Sequence, residues 1–222
     1  MKVPMRWLCF FLCSGCASLG AMQSADTLGQ GKMQVAVELS EQASVSRDTL
    51  TIYPMAGSTV RIGVFDRLDV GIRIGPSGGE LQEKFRFTPR GSALIVSIAP
   101  AFGVSILDTN GITLRFYNIA VPILFGIPFA GGHELVLSAR FNDTIAYESA
   151  GSARGLLNLM TGSVSAGFAA RIWRFKVMPE MAIAAPLWTL SDRYDVEGGT
   201  TFGAGRVTVQ LNLTVMFGGV NE

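Results

Sequence analysis

Side chains capable of chemistry are few in this chain, and their placement excludes more than it offers. All three cysteines, Cys9, Cys13 and Cys16, lie in the first sixteen residues, so the body that follows has no thiol for a disulfide, a zinc cage or a nucleophile. His133 is the single histidine. No Gly-x-Ser-x-Gly elbow, His-Glu-x-x-His pair or phosphate-cradling Gly-x-x-x-x-Gly-Lys loop accompanies it. Asp192, Asp195 and Glu197 fall close together but lack the oxygen-ligand spacing of a calcium loop, and read as a solvated face. No catalytic group, metal or cofactor is therefore expected. A net charge of +1 predicts no nucleic-acid partner. What remains is a scattered set of charges, which acquires meaning only from the elements that carry it.

The clearest element is the last. From Arg206 to Phe217, Val207, Val209, Leu211, Leu213, Val215 and Phe217 alternate with Thr208, Gln210, Asn212 and Thr214, a period of two that defines a strand with one apolar and one polar face. Composition agrees, since 49% of residues are hydrophobic and 16% charged, yet no apolar run of helical membrane-spanning length exists. Alternation hides hydrophobicity in this way when strands form a barrel with a greasy outside.

The same pattern recurs from Met33, where Met33, Val35, Val37 and Leu39 alternate with Gln34, Ala36, Glu38 and Ser40. Ser40 to Thr49 reads as a polar loop, and a return strand covers about Leu50 to Val64. Strands then follow at Leu68 to Ile74, Glu80 to Thr88, Ser92 to Ile106, Ile112 to about Phe125, Glu134 to Asn142, Leu157 to Trp173 and Lys176 to Leu187. Asp108-Thr109-Asn110-Gly111 is a hairpin signal. In the strand from Ile112, the outward phase at Ile112, Leu114 and Phe116 slips after Asn118, which predicts a bulge. Pro100, Pro122 and Pro179 each remove a ladder donor, against the grain of a closed sheet. Glu83 falls on an apolar face and is expected at a membrane edge. Ten strands return the chain to its starting side, with both ends periplasmic.

Residues 1–15 read as an export signal, with Lys2 and Arg6 ahead of an apolar core from Trp7 to Leu12. Cys13-Ser14-Gly15-Cys16 resembles the lipobox of bacterial lipoproteins, which implies lipidation at Cys16; an ordinary signal cut after Ala21 or Ala25 is the other reading. Residues 16–32, polar and bearing glycine, predict a periplasmic tether, and residues 33–218 the barrel.

Gly63-Val64-Phe65-Asp66-Arg67-Leu68-Asp69-Val70-Gly71 resembles a Gly-Val-x-Asp-Arg-Leu-Asp-x-Gly turn of small Gram-negative outer-membrane β-barrel proteins, many of them predicted lipoproteins. The resemblance implies an all-β, antiparallel up-and-down transmembrane β-barrel of about ten strands in the outer membrane. Its partners would be outer-membrane lipids and, through the aromatic Phe217 of the closing strand, the barrel-assembly machinery, with the barrel a monomer. Aromatic girdles are expected at Phe65, Phe87, Trp173, Phe175 and Phe217 below, and at Tyr53, Phe102, Phe116, Phe141 and Trp188 above.

On that topology Glu38, Arg61, Arg73, Lys84, Arg86, Arg115, Glu134, Arg140, Arg171 and Glu180 point into the lumen. They form either a narrow porin-like pore attracting anions or, in the favoured reading, a plug of ion pairs, because a barrel of this size is nearly filled by its own side chains. His133 falls in a periplasmic turn. The role expected is structural, surface-interacting or narrowly conducting. A soluble periplasmic barrel lipoprotein with its greasy face inward, binding an apolar ligand, and a barrel-embedded enzyme are the alternatives.

Overall fold

Period-two alternation along nearly the whole chain is realised as strand. The computed structural model describes residues 19–46, 49–75, 78–109, 112–150, 153–191 and 207–219. Cys16, the expected export signal, Asp192, Asp195 and Glu197 lie outside them. The strands are β1 (Met33–Ser46), β2 (Thr49–Phe65), β3 (Leu68–Gly75), β4 (Gly78–Arg86), β5 (Ile95–Ile98), β6 (Ala101–Thr109), β7 (Ile112–Pro128), β8 (Glu134–Ala150), β9 (Ala153–Ile172), β10 (Phe175–Ser191) and β11 (Val207–Gly218). Each pairs antiparallel with its neighbours, β4 with both β5 and β6, and those two with β7. β1 pairs with β11, so the sheet closes. β5 and β6 are two halves of one wall strand, and the whole is a ten-stranded antiparallel barrel.

The prolines find their place at that interruption. Pro100 lies in the gap between β5 and β6, and Pro122 stands opposite, its carbonyl accepting the Ala99 N–H at 2.9 Å. In an antiparallel strand the N–H and C=O of one residue face the same neighbour. Pro122's missing donor therefore faces the gap that Pro100 already makes, and one defect serves both. Register is unshifted across it, with Ile98 opposite Ile123 and Ala101 opposite Ala120. At Pro179 the β9–β10 register resumes unshifted from Val177–Ala170 to Glu180–Gly167.

Two expected features are replaced. Ser40–Ser46 is strand, and β1 and β2 stay paired up to Ser46 and Thr49. Likewise, β8 and β9 pair up to Ala150 and Ala153. Polar residues on both faces suggested loops there, but a hairpin paired on its other side needs no apolar face to persist. The second correction concerns β7, which carries no bulge; it pairs in continuous register with β8 from Ile112–Ala150 to Pro128–Glu134. Its even-numbered residues face inward from Leu114 to Gly126, so Leu114 and Phe116 are buried and Arg115 is exposed on the outside. Phe116 fits inside because its cross-strand neighbours are the small Ser105 and Ala146, while Arg115 lies among outward Ile106 and Tyr147.

Turns at Asp66–Arg67, Phe87–Leu94, Phe129–His133 and Trp173–Arg174 occupy one end, termed the short-turn end. β1 begins and β11 finishes there. The outer face is apolar: Leu39, Val60, Ile72, Leu81, Phe102, Ile123, Leu137, Val164, Ile183, Leu211 and Leu213 are all exposed. Inside are Gln34, Glu38, Thr59, Arg61, Asp69, Lys84, Asn118, Asn142, Gln210 and Thr214, all buried. Greasy faces thus turn outward, opposite to what an apolar-ligand barrel requires. Glu83 is also exposed and lies toward the short-turn end, opposite Val70 and two pairs from Leu68–Phe85.

Aromatics crowd the outside of the short-turn end at Phe65, Phe85, Phe87, Phe129, Phe168, Trp173 and Phe217, all exposed. A second level comprises Tyr117, Tyr147 and Trp188, with the two tyrosine rings 5.9 Å apart. It stands eleven to thirteen residues up β7, β8 and β10, about 30 Å of height for strands tilted near 40°. Phe102 and Phe141 lie between the levels and Phe116 points inward, so the expected upper set is only partly that girdle. The Tyr53 side chain lies outside the described ones.

Candidate functional site: a lumen filled by the N-terminal segment

The lumen contains main chain. Residues 19–29, expected as an external tether because they are polar and aperiodic, run inside the barrel, where all but the half-buried Asp26 are buried. Their lack of periodicity has a simple cause: an irregular segment enclosed by the wall on every side has no solvent-facing side against which an apolar face could alternate, and its small apolar residues, Ala21 and Ala25, pack on Ile95, Ala99 and Leu124 among the polar contacts. At the short-turn end a turn with the Lys32 N–H donating to the Gly29 carbonyl at 3.2 Å reverses the chain into β1. Gly29 and Gly31 hold φ of +87° and +76° in it, a region that side chains disfavour.

The wall grips this segment mainly through its backbone. Gln210 Oε1 accepts the Leu19 N–H at 2.7 Å, and Ser163 Oγ donates to the Leu19 carbonyl at 2.9 Å. Arg140 Nη1 donates to the Gly20 carbonyl at 3.1 Å. Glu180 accepts the N–H groups of Ala21 at 2.6 Å and Met22 at 2.8 Å, one on each oxygen. Glu134 accepts the Ala25 N–H at 2.9 Å as well as the Ser24 hydroxyl. Lys84 Nζ donates to the Ser24 and Asp26 carbonyls, Ser97 Oγ to the Ala25 carbonyl at 2.6 Å, and Arg86 forms an ion pair with Asp26. A wall rich in buried charge is costly unless each charge is compensated, and here the threaded backbone supplies much of the compensation.

The nine-residue turn is the lower clamp. Gly63 donates to the Lys32 carbonyl at 2.9 Å and accepts the Gly31 N–H at 2.8 Å. A Cβ on Gly63 would sit 2.0 Å from the Gly29 carbonyl oxygen, so only glycine permits the approach. Asp69, fully buried, accepts the Leu28 N–H and pairs with Lys84 at 3.3 Å. The Asp66 carbonyl accepts the Thr27 hydroxyl at 2.8 Å.

Of the charges expected in the lumen, Lys84, Arg86, Glu134, Arg140 and Glu180 touch the segment directly. Glu38 accepts from Arg73 Nε at 2.6 Å and from Thr59 at 2.7 Å, and Arg73 also reaches the Met22 sulfur at 3.5 Å. Arg61 donates to Gln82 at 2.6 Å. Arg171 lies at the short-turn rim, its Nε 3.5 Å from the Trp173 carbonyl. Arg115 alone is on the wrong face, as β7's register dictates. Asp69, Ser97, Ser163 and Gln210, also bonded to the segment, are not among the ten charges expected in the lumen, although the alternation of their strands puts each at an inward position. His133 sits at a turn, its Nδ1 accepting the Arg171 N–H at 3.1 Å. Among the described residues no group of three or more His, Cys, Asp or Glu could hold a metal ion.

Between segment and wall remains a cavity of about 10 Å³ beside Met22, Arg73, Glu80 and Arg140, room for roughly one water. The fold and its contents define a class: a closed ten-stranded β-barrel with an apolar exterior, filled by its own N-terminal segment. No family model and no curated protein matches the chain. Among solved structures it is similar to Neisserial surface protein A (9% identity, 83% of this chain and 96% of that one, TM-score 0.45). The outer membrane protease OmpT from Escherichia coli is similar at 9% identity, over 88% and 98% of the two chains, with TM-score 0.46. Ail, the attachment invasion locus protein of Yersinia pestis, is similar at 10% identity, over 85% and 99%, with TM-score 0.36. Likenesses of this size add nothing to what the chain's own strands establish.

Proposed function

We propose that this protein is an integral outer-membrane β-barrel of a Gram-negative bacterium, monomeric, whose lumen is stoppered by residues 19–28 and whose role is structural or at the cell surface, neither catalytic nor openly conducting. The observation that carries the reading is the inversion of polarity: buried charges line the inside while exposed leucine, isoleucine, valine and phenylalanine cover the outside between two aromatic levels. An exterior of this kind is stable in hydrocarbon and is an aggregation hazard in water. The segment inside favours a stoppered barrel over a pore, since its backbone occupies the path that an ion would take. Outer-membrane lipids are the partners of the apolar face. Phe217, exposed near the end of β11, is the aromatic offered to the assembly machinery.

Carbonate-washed envelopes run unheated and boiled on a gel test the membrane reading. Retention in the pellet with a heat-dependent mobility shift is expected, and release by the wash with no shift would overturn it. In planar bilayers the full barrel should hold no steady current, while a chain lacking residues 19–28 conducts. Steady current through the intact chain would sink the stopper.

A further inference from the structure

The luminal segment has a direction. Leu19 is bonded to Gln210, which stands three residues from the start of β11 and eight from its end. At about 3.4 Å per residue, the start of β11 is about 10 Å away along that strand and the short-turn rim about 27 Å, while on β9, whose Ser163 also bonds Leu19, the wall runs on ten residues, about 34 Å, to Ala153. The segment is clasped from Leu28 at the rim up to Leu19, and over that length the wall is closed by β1–β11 and β10–β11 pairing, with no lateral opening among the described residues. Three residues of extended chain reach at most about 11 Å. A residue three before Leu19, the position of Cys16, can therefore come level with the start of β11 but falls well short of the short-turn rim.

We propose that the chain threads its own barrel, so that whatever precedes Leu19 in the mature protein is presented at the far mouth, on the cell surface. The bonds to Leu19, Gly20 and Ala21 from Gln210, Ser163, Arg140 and Glu180 further require that the mature chain keep these residues, so leader removal falls before Leu19 rather than after Ala21 or Ala25. A lipid on Cys16 is on the surface side, not in the periplasmic leaflet. This rests on the outer-membrane reading with short turns periplasmic.

The test is an epitope inserted between Ala17 and Ser18 of the full chain, detected by antibody on intact cells and again after outer-membrane permeabilisation. A matching epitope in the Trp173–Arg174 turn marks the opposite end. The first should give equal signal in both conditions and the second signal only after permeabilisation. Signal from the first only after permeabilisation, or its absence from a mature chain whose intact mass begins beyond Leu19, overturns threading. Carbonate release, or the Trp173–Arg174 epitope appearing on intact cells, would fault the membrane or orientation reading instead.

Discussion

Both carboxylate oxygens of Asp69 lie 3.1 Å from the N–H of Leu28. This joins the second aspartate of the turn to a residue that sequence placed outside the barrel, and explains why the turn carries that aspartate at an inward position. Removing it leaves Lys84 buried without its ion-pair partner and the Leu28 donor unmet.

Asp69→Ala should therefore destabilise the barrel by about 3 to 5 kcal/mol, the usual cost of breaking a buried pair. Asp69→Asn should cost less, since one oxygen still accepts from Leu28. The temperature at which unheated gel mobility is lost checks both, and equal loss in the two variants would assign the cost to the ion pair and count against the Leu28 hydrogen bond.

Gly63→Ala drives a methyl group toward the Gly29 carbonyl, whereas Gly31→Ala meets nothing within 4 Å and suffers only from its positive φ, about 1 to 2 kcal/mol. The first should loosen the clamp and expose the N-terminal segment to protease in detergent-solubilised barrels. The second should leave that segment protected.

Leu211 is exposed on β11 about midway between the two aromatic levels and Met33, at the start of β1, beyond the lower one. Leu211→Arg should cost about 2 to 4 kcal/mol and Met33→Arg about 1 kcal/mol or less, following depth in the bilayer. Urea titration of folding into lipid vesicles measures the difference; equal costs would place the hydrocarbon elsewhere.

Arg140→Ala removes the donor to the Gly20 carbonyl and should raise the frequency of transient current steps in planar bilayers as the upper segment detaches. Arg115→Ala, on the outer face, should leave the current record and melting temperature as they were. A change on the Arg115 side would mean that β7 faces the other way.

The sequence by itself determined the strands, their number and which face is greasy, because an element one layer thick writes its environment directly into alternation. Met33 to Leu39 and Val207 to Phe217 needed no partner to be read. It also placed Glu134, Arg140 and Glu180 inside. Tertiary structure alone decided the rest. The phase of β7 was undetermined because Leu114, Phe116, Ile119 and Val121 put apolar residues on both faces, and only pairing with β6 and β8 turned Arg115 outward. Residues 19–28 gave no signal because the wall's side chains bind their backbone, and main-chain N–H and C=O groups are the same at every residue. What fills the lumen is legible only once Asp69, Lys84, Glu134, Glu180 and Gln210, scattered over more than a hundred residues of sequence, are brought around one path.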